Sequence, residues 1–358
     1  MGEVRTTGNW ISQWLKRRLK RPPIYVETMI RTDLDTIWKH TQEPDRHVAW
    51  DLRFSSITYE PQGNKVSDQE EFVNRTVRAG QTELMKGIGV NDPASNTDAQ
   101  PQHFTYRTNI GFGLSIAGAG IASSKDAHSL DQRISILSFH SNQSLSLINR
   151  GQGYWKYKQQ DEGIQFLTQY DYATRWGWLG ASFDRLIFRP LFGWATAWSF
   201  DALRLWLERG IHPSISVQRT ILHYMSVCML SFMWIYHGLV PKLLMPGAGE
   251  YALMEQTLGA ASTTLVTTVL IIAGSLEILA GMLLWRWHRS AWPYWLKIIV
   301  LPLLAILVMI PSPAFIGMPF NPVTLTVAMM GSSLVALLSR KDLPNAANCL
   351  RKRPVSQL

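Results

Sequence analysis

Three ionisable residues in apolar surroundings are the first candidates for chemistry. His223 and His237 bracket "HYMSVCMLSFMWIYH", and Glu277 lies in "SLEILAGMLL". A carboxyl and an imidazole are the residue types that a proton relay uses. A carboxyl in hydrocarbon is a functional candidate unless it is paired. On a helix the two histidines lie only about 40° apart in azimuth, so both can face one neighbour. Depth favours His223 over His237 as the partner of Glu277, and Arg219 could also reach it by snorkelling. Architectural readings compete. Glu277 can join two helices by a hydrogen bond, with Ala273, Gly274 and Gly281 permitting close approach. His237, beside Trp234 and Tyr236, reads more as a helix end at an interface than as a catalyst. Cys228 reads as a small buried apolar residue.

What positions these residues is a run of apolar helices. After Gln218 charged residues become rare, and four stretches follow at 220–240, 263–285, 294–310 and 322–339. Their lengths suit a hydrocarbon core of about 30 Å. Cations mark one side. Arg219 precedes the first stretch, Arg286, Arg289 and Lys297 surround the second turn, and a basic tail (341–358) follows the fourth. The other loops hold only Lys242. The positive-inside rule then puts both termini in the cytoplasm, in a multi-pass inner-membrane protein.

The net charge of +9 sits at the two ends. Residues 1–21 carry six basic side chains against Glu3, and residues 340–358 carry five against Asp342. Basic ends beside apolar helices suit anionic lipid; a nucleic-acid binder would carry its charge on a folded face. "NWISQWLKRRLKR" lacks the apolar core of a secretory signal and can form an interfacial amphipathic helix. Two cysteines, Cys228 and Cys349, give no disulfide framework. Sequons occur at Asn74 and Asn142.

The first part of the chain reads as strands and two helices. "IYVETMIRT" alternates as a strand, and Asp33 can cap a helix with Leu34, Ile37, Trp38 and Thr41 on one face. Strand-like runs follow at 52–59, 69–78, 103–110, 132–140 and 152–159. In "GIQFLTQYDYATRW", Ile164, Phe166, Thr168, Tyr170 and Tyr172 share one face. A closing helix presents Phe183, Ile187, Leu191, Trp194, Trp198, Ala202 and Leu205 as one stripe, with Pro190 expected to kink it. This order predicts an α+β domain whose curved sheet wraps the last helix, leaving room for an apolar cavity.

Residues 22–210 resemble the START-like superfamily, also called SRPBCC or polyketide cyclase-like. The resemblance rests on "IYVETMIRTDLDTIWKHTQEPDRHVAWDLRFSSI", with Trp50 at the family's tryptophan, and on "FDRLIFRPLFGWATAWSFDALRLWLE". Residues 219–340 resemble the DoxX-like membrane family through "WIYHGLVPKLL", "LEILAGMLLW" and "FNPVTLTVAMM". The first resemblance implies a helix-grip fold that holds lipids, quinones, polyketides or other apolar molecules. The second implies a four-helix transmembrane bundle, in some relatives a subunit of quinone-linked oxidoreductases. Fold analogy alone establishes no reaction.

No H-E-x-x-H, C-x-x-C or Walker loop occurs, so no cofactor is identified, with quinone the one suggested by resemblance. "GFGLSIAGAGIASS" lacks the dinucleotide spacing and suits a turn or bulge. His103, His128 and His140 are too scattered to argue a metal site. Three functions follow in order. The first is a membrane-tethered module binding a hydrophobic small molecule at the inner leaflet, with Trp50, Tyr106, His140, Trp155 and Tyr170 as pocket candidates. The second is a scaffold for a protein partner in the membrane. The third is a quinone-linked oxidoreductase component using Glu277 and His223, with His237 a further candidate.

Overall fold

The computed structural model describes residues 22–60, 102–111, 113–126, 131–259, 262–310, 313–317 and 321–354. The expected leader 1–21, the strand at 69–78, the Asn74 sequon and His128 lie outside these residues. The chain divides into two compact units. One comprises residues 1–213 and 344–358, the other residues 214–343.

In the first unit β1 (Ile24–Ile30) precedes α1 (Leu34–Gln42) and α2 (Pro44–Trp50). Asp33 caps α1, its carboxylate accepting the Thr36 N–H at 2.7 Å. α2, which the sequence pattern does not separate from α1, is a short helix that starts on Pro44, where a missing N–H costs nothing. Then come β2 (Ser56–Tyr59), β3 (Gln102–Gly111), β4 (Leu114–Asp126), β5 (Gln132–His140), β6 (Ile148–Gln160) and β7 (Gly163–Thr174). They form an antiparallel sheet in the order β1-β7-β6-β5-β4-β3-β2. The alternation of β7 places Ile164, Phe166, Thr168, Tyr170 and Tyr172 in the core.

The glycine-rich stretch is both turn and strand. Gly111 and Gly113 have positive φ at the β3–β4 turn, whereas Gly118 and Gly120 lie within β4. A side chain at Gly118 would collide with the Tyr106 ring and one at Gly120 with Phe104. Absent Cβ atoms thus let two cross-strand aromatic rings lie flat on the sheet.

α3 (Gly177–Phe183), a π-helical turn (Asp184–Phe188) and α4 (Arg189–Arg209) close the domain. Phe200 of α4 stacks on Phe166 of β7, their ring centroids 4.3 Å apart. The expected stripe is buried only in its second half. Trp198, Ala202 and Leu205 are core residues, but Phe183, Ile187, Leu191 and Trp194 are exposed. The π-helical turn accounts for Phe183 and Ile187, because its wider winding shifts residues up to 188 off the face of α4; Leu191 and Trp194 lie in α4 itself, in its exposed first turns.

The expected tail from 341 is not a free extension. Residues from 344 belong to the first unit. Leu350 pairs by backbone hydrogen bonds with Glu27 of β1, and a 3-10 turn (Ala346–Asn348) packs on α4.

The second unit contains α5 (Pro213–His237), which continues as a π-helical segment (Gly238–Leu244), then α6 (Glu250–Leu258), α7 (Thr263–Trp287), α8 (Trp292–Met309) and α9 (Pro322–Ser339). The first apolar helix therefore starts earlier and ends later than the expected 220–240. Among the described residues three helices, spanning 213–244, 263–287 and 322–339, are long and apolar enough to cross a membrane, and α8 is a shorter apolar helix. Val227, Leu230, Leu284, Tyr294, Met329 and Ala336 form one core drawn from α5, α7, α8 and α9. Gly238 and Gly274 bring the π-helical segment against α7, where a Cβ on Gly274 would fall 2.7 Å from the Gly238 carbonyl oxygen. Cys228, expected to be buried, is exposed on α5; both cysteines are free.

Candidate functional site: an apolar cavity and two polar clusters

The first unit holds an open cavity of about 420 Å³ between the sheet, α2 and the α3–α4 segment, within the usual range for small-molecule sites. Of the five pocket candidates, Tyr106, Trp155 and Tyr170 line it. Trp50 is instead core. It is 1% exposed, donates its indole N–H to the His40 carbonyl at 3.0 Å, and packs among Trp155, Phe166 and Phe200. His140 is not among the lining residues; its backbone carbonyl accepts the Tyr106 hydroxyl at 3.4 Å.

Two polar groupings in the wall had no signal in sequence spacing. Asp51 is fully buried and accepts Arg53 Nε at 2.8 Å and Arg53 Nη2 at 2.6 Å, with His47 Nε2 at 3.2 Å. Burial alone would raise the Asp51 carboxyl, but the Arg53 guanidinium outweighs it and holds the group well below the usual carboxylate range. Arg53 lines the cavity and lies 5.5 Å from the Tyr170 ring centroid. On another part of the wall, Ser135 donates to Gln42 Oε1 at 3.3 Å, Gln42 donates to the Tyr157 hydroxyl at 3.2 Å, and Thr41 and Tyr157 share a hydrogen bond of 2.8 Å. Burial pushes the Tyr106 phenol up to about 12 and raises that of Tyr170. Both stay protonated near neutrality. The lining therefore offers apolar surface, one paired guanidinium and a few neutral donors and acceptors, a set suited to holding a molecule in one orientation.

The cavity's rim is apolar and open. Leu52, Ile110, Leu145, Trp176, Phe183 and Leu191 all line it, yet each is between 44% and 58% exposed. Trp178, Leu179, Leu186 and Ile187 continue this surface along α3 and the π-helical turn, with 55–76% exposure.

In the second unit the expected pairing of Glu277 with His223 does not form. Glu277 Oε2 lies 3.2 Å from Lys242 Nζ, which also approaches Glu250 at 3.6 Å. His223 is fully buried; its Nδ1 lies 3.0 Å from the Ala336 carbonyl and its Nε2 3.0 Å from His288 Nδ1. The reason is register. The His223–His288 contact sets His223 level with the end of α7 at Trp287, and the first ten residues of α5, from Pro213, extend beyond that level. Eleven residues of helix, about 16 Å, separate that level from Glu277. Lys242, expected in a loop, lies within the π-helical segment. His237 contributes its carbonyl to Lys242 Nζ at 3.5 Å. Lys297, also expected beside a loop, is 7% exposed on α8. No group of His, Cys, Asp or Glu that could hold a metal occurs among the described residues.

Over 238 residues the chain is 39% identical to an uncharacterized membrane protein, YndG, of Bacillus subtilis strain 168, covering 66% of this chain and 76% of that one. The chain belongs to that protein's family. Residues 231–334 match the DoxX-like family, so the apolar helices of this chain carry a DoxX-like domain. The matched segment begins at Ser231 in α5 and ends at Leu334 in α9, and it contains Lys242, Glu277 and Lys297. No solved structure matches the chain. This is a membrane protein with an antiparallel-sheet domain before its DoxX-like helices.

Proposed function

We propose that the first unit is a helix-grip, START-like domain that binds a hydrophobic small molecule at the inner leaflet, and that the second unit is its four-span anchor. The observation that carries the binding reading is the cavity with its apolar, exposed rim. A water-facing mouth made of Leu, Ile, Trp and Phe is unfavourable for a polar ligand, and it lowers the cost of transferring an apolar one from lipid. The phenols and the Arg53–Asp51 pair can orient a lipid or quinone-like molecule without reacting with it.

Connectivity supports four crossings. Residues before 214 and after 343 fold into one unit. This favours both ends of the membrane segment lying on one side, and so an even number of crossings. Three long helices require a fourth partner, and α8, with 18 residues, is about 27 Å long. Arg219, Arg286, Arg289 and Arg340 support the cytoplasm as the shared side.

The test is mass spectrometry of molecules extracted from the full chain after gentle solubilisation, set beside Ala195→Phe, which fills the cavity from α4. The expected result is an apolar compound at near-stoichiometric yield in the wild type and its loss in a folded variant. Equal yields from both proteins would remove the cavity from the function.

A further inference from the structure

Lys297 enters the core of the second unit from α8. It is 7% exposed, and its ammonium has no hydrogen-bond or ion-pair partner among the described residues. Its Nζ lies 5.7 Å from the centroid of the Trp234 ring. The indole N–H of Trp234 is also buried without a partner, as is the hydroxyl of Ser231, which is 3% exposed one turn earlier on α5. α7 packs against this stretch at Gly281, where a Cβ would fall 3.0 Å from the Ser231 carbonyl oxygen and 3.2 Å from Trp234 Cβ.

The chemistry of this cluster is one-sided. An ammonium and an indole N–H can only donate, and a hydroxyl can donate as well. No carboxylate of the unit pairs with Lys297 among the described residues. Its acidic residues are Glu250, Glu255, Glu277 and Asp342. Glu250 and Glu277 share Lys242, Glu255 is exposed, and none ion-pairs with Lys297 among the described residues. The residues of this unit outside the description, 260–261, 311–312 and 318–320, include no acid. A buried cation with neither counter-charge nor hydrogen bond is costly, the more so in a membrane-spanning helix. The neighbouring Trp234 face offsets part of this cost and accepts no hydrogen bond.

We propose that Lys297, Trp234 and Ser231 form a binding site for the carboxylate head of an apolar molecule of the long-chain fatty-acid class. The carboxylate supplies the missing charge and up to three acceptor positions, and the alkyl body extends toward surrounding lipid. This site is separate from the cavity of the first unit and does not depend on that cavity having a ligand.

The test is equilibrium binding of radiolabelled oleate to the full chain in phosphatidylcholine nanodiscs, with methyl oleate as an uncharged competitor. One equivalent of oleate is expected to bind at least 10-fold more weakly to Lys297→Met and to be retained by Lys297→Arg. Methyl oleate should compete at least 10-fold less well than oleate. Ala195→Phe, which fills the other cavity, should leave this equivalent in place. Trp234→Phe keeps the ring but removes the N–H, and several-fold weakening is expected even if the methionine variant does not fold. Unchanged oleate binding in Trp234→Phe together with unchanged binding or failed folding in Lys297→Met would overturn the site. So would the loss of all oleate in Ala195→Phe, or no saturable binding by the wild type.

Discussion

The carboxylate of Asp201 accepts the backbone N–H of Asn345 at 2.8 Å, joining α4 to a segment 144 residues later in the chain. The same oxygen accepts Asn348 Nδ2 at 3.0 Å, and the other accepts Arg204 Nε at 2.8 Å. The helices of the second unit therefore form an insertion within a folded domain, and the last stretch of the chain is a structural part of it.

Asp201→Ala should free this stretch. Removing a fully buried carboxylate that serves three donors is expected to cost about 2–3 kcal/mol. The readout can be local. Cys349 is 7% exposed, and its Sγ lies 3.3 Å from the Ala197 carbonyl. Burial, with Asp201 adding to it, pushes the thiol up to about 12. In a Cys228→Ser background N-ethylmaleimide should react slowly with the parent and at least 10-fold faster with Asp201→Ala. Equal rates would mean that the clasp does not hold the segment.

Acid should weaken the domain through Asp51. Its folded carboxyl lies below the unfolded aspartate value of about 3.9, so the unfolded chain takes up the proton first. The stabilisation is complete above that value and is lost as pH falls toward the folded one. Asp51→Asn leaves the Arg53 guanidinium buried without a counter-charge and should cost about 3–5 kcal/mol at pH 7. The gap in thermal midpoint between wild type and variant should narrow from pH 7 to pH 3.5. A gap independent of pH would argue against an ionised Asp51.

Gly274→Val should separate the π-helical segment from α7. With 2.7 Å available between the new Cβ and the Gly238 oxygen, backbone must move. The expected cost is about 1–3 kcal/mol, read as a lower unfolding midpoint in detergent. Gly331→Val on α9, where a Cβ meets nothing within 4 Å, is the matched control and should change the midpoint little.

The proposed even number of crossings predicts a labelling pattern. In a background without native cysteines, Glu162→Cys and Lys352→Cys, both at exposed positions, should be protected from an impermeant maleimide in intact cells. Glu255→Cys, exposed on α6 between the first two long helices, should react. Labelling of position 162 with protection of 352, or the reverse, would show an odd number of spans.

Much of the architecture was legible because it follows from local pattern. Two-residue alternation located β1, β3, β5 and β7, and Asp33 announced α1. Apolar length located α7 and α9 to within two residues. Tyr106, Trp155 and Tyr170 were accessible as aromatics on alternating strands. Trp50 illustrates the limit: residue type identifies a large apolar side chain, but packing among Phe166 and Phe200 decides that it fills the core and does not line the cavity.

The sequence by itself determined a strand-rich domain, a run of bilayer-length helices and charge at both ends, since periodicity, length and composition are local properties. Tertiary structure alone decided which groups meet: Glu277 with Lys242, His223 with His288, Asp51 with Arg53, and Asn345 with Asp201. The physical reason is that a pairing depends on the relative register of two elements. Extending α5 by a few residues at each end, or winding one turn as a π-helix, shifts that register while leaving the hydrophobic pattern almost unchanged.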